Sequence, residues 1–67
     1  MTFSPDDLRY FTEIAATSNL SRAAERLHIS QPSLTLAVQR LERGVGAALL
    51  NRSKKGVSLT PAGQQLL

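Results

Sequence analysis

A chain of 67 residues with 8 Lys and Arg against 5 Asp and Glu, a formal net charge of +3, has room for one small domain. It has no cysteine, which excludes disulfide frameworks, thiolate metal sites and cysteine nucleophiles, and its single histidine, His28, excludes a zinc finger. Hydrophobic residues at 42% fit a globular composition, while no apolar run approaches a membrane span or forms a signal-peptide core behind Met1. The absence of disulfides leaves the redox compartment open, with a reducing cytoplasm the default.

Charge is segregated along the chain. Residues 1–20 carry a net −2 and residues 21–42 a net +1, whereas beyond Glu42 only Arg43, Arg52, Lys54 and Lys55 are charged, a net +4. A basic C-terminal half points to an anionic partner, nucleic acid first, although a solvated surface has the same composition.

Ser4-Pro5-Asp6-Asp7 is a helix start, with a capping hydroxyl, a proline at the first helical position and carboxylates at the positive end of the dipole. Asp7 stands three residues after Ser4 as in a capping box, and Phe3 and Leu8 occupy staple positions. Leu8, Phe11, Ile14 and Ala15 recur at helical spacing, so the first helix runs to about Ala16. Thr17-Ser18-Asn19 is a turn in which Asn19 caps a second, short helix over 20–27. Leu20, Ala23, Ala24 and Leu27 form its buried stripe, and the alanine pair admits a close helix crossing. His28-Ile29-Ser30 leaves room for only a tight turn before Ser30 caps a third helix that opens on Gln31 and Pro32. At about 100° per residue, Leu34, Val38, Leu41 and Val45 share one face with Ala37 beside them. Pro32, Leu36, Gln39, Arg40 and Arg43 take the opposite face, flanked by Ser33 and Thr35. Gly44 or Gly46 supplies the left-handed end of this helix.

The period then changes. Residues 49–53 and 57–59 read as two short strands joined by Lys54-Lys55-Gly56, a hairpin that must lean on the helices because two strands alone are not stable. Thr60-Pro61 starts another helix by the same cap-then-proline logic as Ser4-Pro5. There are no repeats and no low-complexity segments.

Three helices followed by a basic hairpin make a mostly α chain with the winged helix-turn-helix architecture, closed by the start of a further helix. In that arrangement the polar N-terminal end of the third helix, about 31–43, faces outward. An α-helix fits the DNA major groove and meets base edges near its N-terminus. Gln31 has the amide that pairs with adenine, while Ser33 and Thr35 suit base edges or phosphates. Arg52, Lys54 and Lys55 on the wing, 52–56, suit the backbone or a minor groove.

At these residues the chain resembles a LysR-type transcriptional regulator. The resemblance rests on Leu8-Arg9-Tyr10-Phe11, on 19–27 with Ala23-Ala24-Glu25-Arg26-Leu27 at its centre, and on Ile29-Ser30-Gln31-Pro32-Ser33-Leu34-Thr35. It continues through Leu41-Glu42, Gly46, Leu49, Arg52 and Leu59-Thr60-Pro61-Ala62-Gly63, in order across nearly the whole chain. It implies a bacterial, cytoplasmic regulator whose region 1–59 is a DNA-binding domain and whose region 60–67 begins a linker helix. The remaining linker and an effector domain, expected to bind a small molecule, would lie outside these residues. No cofactor is expected within them. Double-stranded DNA is the implied partner, with homodimers or tetramers of the full-length protein formed through the linker and effector domain, and no membrane. In the 67-residue chain alone, weak binding and a mostly monomeric state are expected.

Residue by residue, the resemblance implies that Gln31, Pro32, Ser33, Thr35 and position 36 face the major groove, and that Ser21 and Arg22 lie near phosphates. Arg52 and the Lys54-Lys55 tip would make wing contacts. Arg40, on the exposed side of the third helix, joins the candidate set. The family commonly has arginine at position 36, where this chain has Leu36. An apolar residue there suits a thymine methyl, a protein neighbour, or plain exposure. Leu50 in place of the usual phenylalanine reads as core packing, Gly44 replaces a helix former, and Asn19 replaces a serine cap.

The remaining polar and aromatic residues have structural readings. His28 lacks the partners a metal site needs, and Glu42 reads as an ion-pair partner. Phe3, Tyr10 and Phe11 read as core or staple rather than as a base-stacking surface. No Ser/His/Asp set, paired-carboxylate cleft or glycine-rich phosphate loop is present, so an enzyme is not expected. The rival to DNA binding is a winged-helix module for protein–protein contact, which the fold alone would not separate from it.

Overall fold

Local capping chemistry sets where the helices begin. The computed structural model describes residues 3–67 and orders them as α1 (Pro5–Thr17), α2 (Leu20–Leu27), α3 (Gln31–Val45), β1 (Leu50–Ser53), β2 (Gly56–Leu59) and α4 (Pro61–Leu66). Asn19 accepts from the Arg22 N–H at 3.0 Å, Ser30 from the Ser33 N–H at 3.2 Å and Thr60 from the Gly63 N–H at 3.1 Å. Each bond satisfies a donor that the first helical turn leaves without a partner. The helices stop at left-handed residues: Ser18 (φ 55°), His28 (φ 59°) and, for α3, Gly46 (φ 81°). Gly44 stays inside the helix.

The start of α1 departs from the capping-box expectation. Ser4 occupies the cap position without a side-chain hydrogen bond. Asp7 turns away from the cap and accepts two bonds from Arg40 of α3, Nε–Oδ2 at 3.0 Å and Nη2–Oδ1 at 2.9 Å. A bidentate guanidinium–carboxylate pair outcompetes a single cap bond for the same carboxylate. The pair also ties α1 to the solvent side of α3, and a second pair, Arg26–Glu13, ties α2 to α1.

Phe11, Ile14, Leu20, Ala23, Ala24, Leu34, Ala37, Val38, Leu41, Leu49 and Leu50 are buried. They are the α1 and α2 stripes, the inner face of α3 and the base of the wing, and Ala23 and Ala24 belong to the α2 stripe, which packs against α1 and α3. Phe3, Leu8, Tyr10 and Leu27 are half-buried against this core. Val45, expected on the buried face, is 38% exposed. Val45 is the last residue of α3, next to the left-handed Gly46, and borders a groove with Ala62, Gln65 and Leu66 that leaves it partly open to solvent.

β1 and β2 pair antiparallel in the register Leu50↔Leu59, Asn51↔Ser58, Arg52↔Val57 and Ser53↔Gly56. Leu49, expected within the first strand, precedes it. Its N–H donates to Glu42 Oε2 at 2.9 Å and its carbonyl accepts from the Thr60 N–H. Glu42 is thus a backbone acceptor at the foot of the wing and not an ion-pair partner. The wing leans on the turn between α1 and α2, where the Val57 N–H donates to the Ser18 carbonyl at 3.1 Å. Gly56 makes that approach possible. Its φ of +133° disfavours other residues, and a Cβ there would stand 2.6 Å from the Ser18 oxygen. Gly63 likewise lets α4 cross the Leu49 carbonyl.

Candidate nucleic-acid interface

The N-terminal ends of α2 and α3 converge beside the wing. Ser21, in the first turn of α2, donates its hydroxyl to Gln31 Oε1 at 2.8 Å, so the first turns of the two helices are tied side to side. Between them and the hairpin lies a cleft of about 320 Å³, bordered by Asn19, Leu20, Ser21, Gln31 and the residues from Arg52 to Val57. The register explains why Arg52 reaches it. Arg52 alternates with Leu50 and so shares its inward face, but it lies beyond the edge of the core and opens onto the cleft. Lys54 and Lys55 form the two-residue turn, closed where Ser53 Oγ donates to the Gly56 carbonyl.

Electrostatics at this place all have one sign. Two helix N-termini, each equivalent to roughly half a positive charge, meet the three cations Arg52, Lys54 and Lys55, and among the described residues no carboxylate borders the cleft. The only ion pairs among the described residues engage Arg26 and Arg40, so the wing cations are not neutralised within the fold. A concave, basic, water-open surface of this kind attracts phosphates.

The predicted residues divide into four groups. Ser21, Gln31, Arg52, Lys54 and Lys55 border the cleft. Gln31, Pro32, Thr35 and Leu36 border a second, mainly apolar hollow of about 500 Å³ along α3, so Gln31 joins the two. Ser33 is exposed beside them. Its oxygen accepts from Ser30 Oγ at 2.8 Å, which leaves its own proton free to donate outward. Arg22 is exposed in the first turn of α2. Arg40 stands apart. Its guanidinium is committed to Asp7, and the hydrogen bond and charge of that carboxylate raise its already high pKa further.

Asn19, read only as a helix cap, and Ser53 and Gly56, inside the predicted wing 52–56 but not among its predicted contact residues, also border the cleft. Their only sequence signal is adjacency: Asn19 to the Ser21-Arg22 pair, and Ser53 and Gly56 to the lysine turn. Among the described residues no group of three or more His, Cys, Asp or Glu is placed to hold a metal, and no helix is long and apolar enough to cross a membrane.

Comparison with known proteins agrees with this geometry. Residues 5–64 match the model of the family "Bacterial regulatory helix-turn-helix protein, lysR family". The HTH-type transcriptional regulator TfdT of Cupriavidus pinatubonensis is 48% identical over 60 residues, which are 90% of this chain and 26% of that protein. A mutant OxyR of Corynebacterium glutamicum, bound to hydrogen peroxide, superposes with a TM-score of 0.94 at 43% identity, over 100% of this chain and 21% of that one. The DNA complex of the CbnR DNA-binding domain superposes with a TM-score of 0.89 at 45% identity, covering 100% of this chain and 75% of that one. The chain therefore spans about a quarter of TfdT's length.

Proposed function

Since the chain belongs to the lysR family of bacterial regulatory helix-turn-helix proteins, we propose that it is the sequence-specific, double-stranded-DNA-binding part of a cytoplasmic transcription regulator and not an enzyme. The observation that carries this reading is the cleft in which the polar start of α3 and the basic wing face one another with no acidic residue between them. α3, with its side chains about 10–12 Å across, matches the roughly 12 Å width of the major groove. Gln31, Ser33 and Thr35 then meet base edges, and Pro32 and Leu36 the apolar parts of bases. Ser21, Arg22 and the α2 N-terminus lie along one phosphate strand. Arg52, Lys54 and Lys55 reach the backbone or the adjacent minor groove. Arg40 holds α3 in place through Asp7 and contributes little to phosphate binding.

In this reading residues 1–59 are the DNA-reading unit and 60–67 the start of a connecting helix. Dimers or tetramers of the full-length protein, and a small-molecule effector bound outside this region, follow from family membership and are part of the same proposal. Support for DNA as the partner comes from the CbnR and BenM DNA-binding domains, both solved with DNA and both alike in fold to this chain.

The test is selection of bound duplexes from a random pool by the wild-type chain and by Gln31→Ala. The wild type should enrich a defined sequence, and Gln31→Ala should lose preference at one base position at a cost of about 1–3 kcal/mol. An unchanged preference removes Gln31 from the reading surface, and failure to enrich any duplex contradicts the proposal.

A further inference from the structure

Beyond the basic cleft, α3 displays a feature that phosphate attraction does not explain. Leu36 is 55% exposed on the surface that carries the candidate reading residues. Pro32, Thr35 and Leu36 are spaced i, i+3 and i+4, so their side chains stand together on one side of the helix. They border the mainly apolar hollow, whose rim is completed by Gln31. We propose that Pro32, Thr35 and Leu36 form an apolar seat for the C5-methyl group of one thymine, so that the chain reads this base by its methyl while Gln31 reads a neighbouring one. The inference rests on the DNA-binding proposal and extends it to a base identity.

Duplex DNA fits this seat because of what surrounds it. The hollow shares Gln31 with a cleft carrying three cations, and neither is bordered by a carboxylate, so the occupant is an anionic polymer that also presents a small apolar group. In the major groove that group is the thymine methyl, which no other standard base carries. A protein partner would need more. A stable interface covers about 800 Å² on each side, and a hollow bordered by four residues does not provide it.

The test removes one methyl at a time. A duplex enriched by the wild-type chain is resynthesised with deoxyuridine in place of thymidine at single positions, and binding is followed by fluorescence anisotropy. One replacement should weaken wild-type binding about fourfold, the factor for one buried methyl-sized group. Leu36→Ala and Leu36→Gln should bind the thymine and deoxyuridine duplexes alike, with far-UV circular dichroism confirming the fold of both variants. If every deoxyuridine is tolerated, or the penalty persists in both variants, the seat is refuted while DNA reading stands. If no duplex is enriched at all, the DNA-binding proposal itself falls. If Leu36→Ala abolishes self-association seen by sedimentation but leaves the thymine preference intact, the patch is a protein contact and the seat is refuted.

Discussion

Replacing both wing lysines, Lys54→Ala/Lys55→Ala, should change how binding responds to salt more than which sequence is bound. Both side chains are exposed at the hairpin turn, neither has an acidic partner among the described residues, and neither supports the core. Each phosphate that a cation neutralises contributes about 0.9 to the slope of log affinity against log salt, so loss of both lysines should lower the slope by about 1.8. Between about 50 and 200 mM salt, one such contact corresponds to about a 3.5-fold loss of affinity and two to about twelvefold. The wild-type chain should therefore lose about twelvefold more affinity across that range than the double variant. The assay is anisotropy titration of one labelled duplex at several salt concentrations, beside duplex selection by both proteins. Equal slopes would remove the wing from the phosphate contacts. A changed base preference with an unchanged slope would mean that the lysines read bases, contrary to the geometry at the turn.

Other perturbations separate fold from function. Gly56→Ala combines an unfavourable φ with a collision at the Ser18 carbonyl. Strained backbone of this kind costs on the order of 1–3 kcal/mol, and at about 4–8 °C per kcal/mol the melting temperature should fall by roughly 5–20 °C, with a loss of affinity beyond that of the lysine variants; a melting curve within 2 °C of wild type would contradict the docking of the wing. Leu34→Ala opens a cavity among fully buried side chains at a cost of about 2.7–5 kcal/mol, against a total stability of roughly 3–10 kcal/mol for a chain of this size, and chemical denaturation should find much of the variant unfolded at 37 °C. Arg40→Ala should lower the melting temperature, since it leaves the buried Asp7 carboxylate without its partner, yet alter the salt slope of DNA binding by less than half as much as one wing lysine. A slope change equal to that of a lysine would return Arg40 to the phosphate contacts.

What was legible in the sequence follows from how local its causes are. Asn19 and Ser30 mark the starts of α2 and α3 because a cap bond spans three residues, and the hairpin is visible because its turn residues are contiguous. The same local signature at Ser4 and Asp7 misleads, because the competitor for Asp7 is Arg40, 33 residues away. Glu42 departs from the expected ion pair for a similar reason: its partner is the N–H of Leu49, a group that no pattern of side chains announces. Val45 keeps the period of a buried residue, but burial needs a covering neighbour, and at the end of α3 Val45 faces an open groove instead. The candidate site was legible as two separate pieces, a polar helix start and a basic turn. Their meeting across one cleft depends on the Ser21–Gln31 bond and on the Val57 N–H reaching the Ser18 carbonyl, both of them tertiary contacts.

The most direct test of the central claim is a residue-resolved map of where duplex DNA touches the chain. Titration of ¹⁵N-labelled protein with a selected duplex, followed by ¹H–¹⁵N correlation spectra, provides it. Shifts should concentrate at Ser21 and Arg22, at Gln31 to Leu36 (apart from Pro32, which has no amide N–H), and from Arg52 to Gly56, and should be small around Val45 and Ala62 to Leu66. Shifts centred on Val45 and Leu66, or a spectrum unchanged at saturating DNA, would contradict the placement of DNA across the α3 start and the wing.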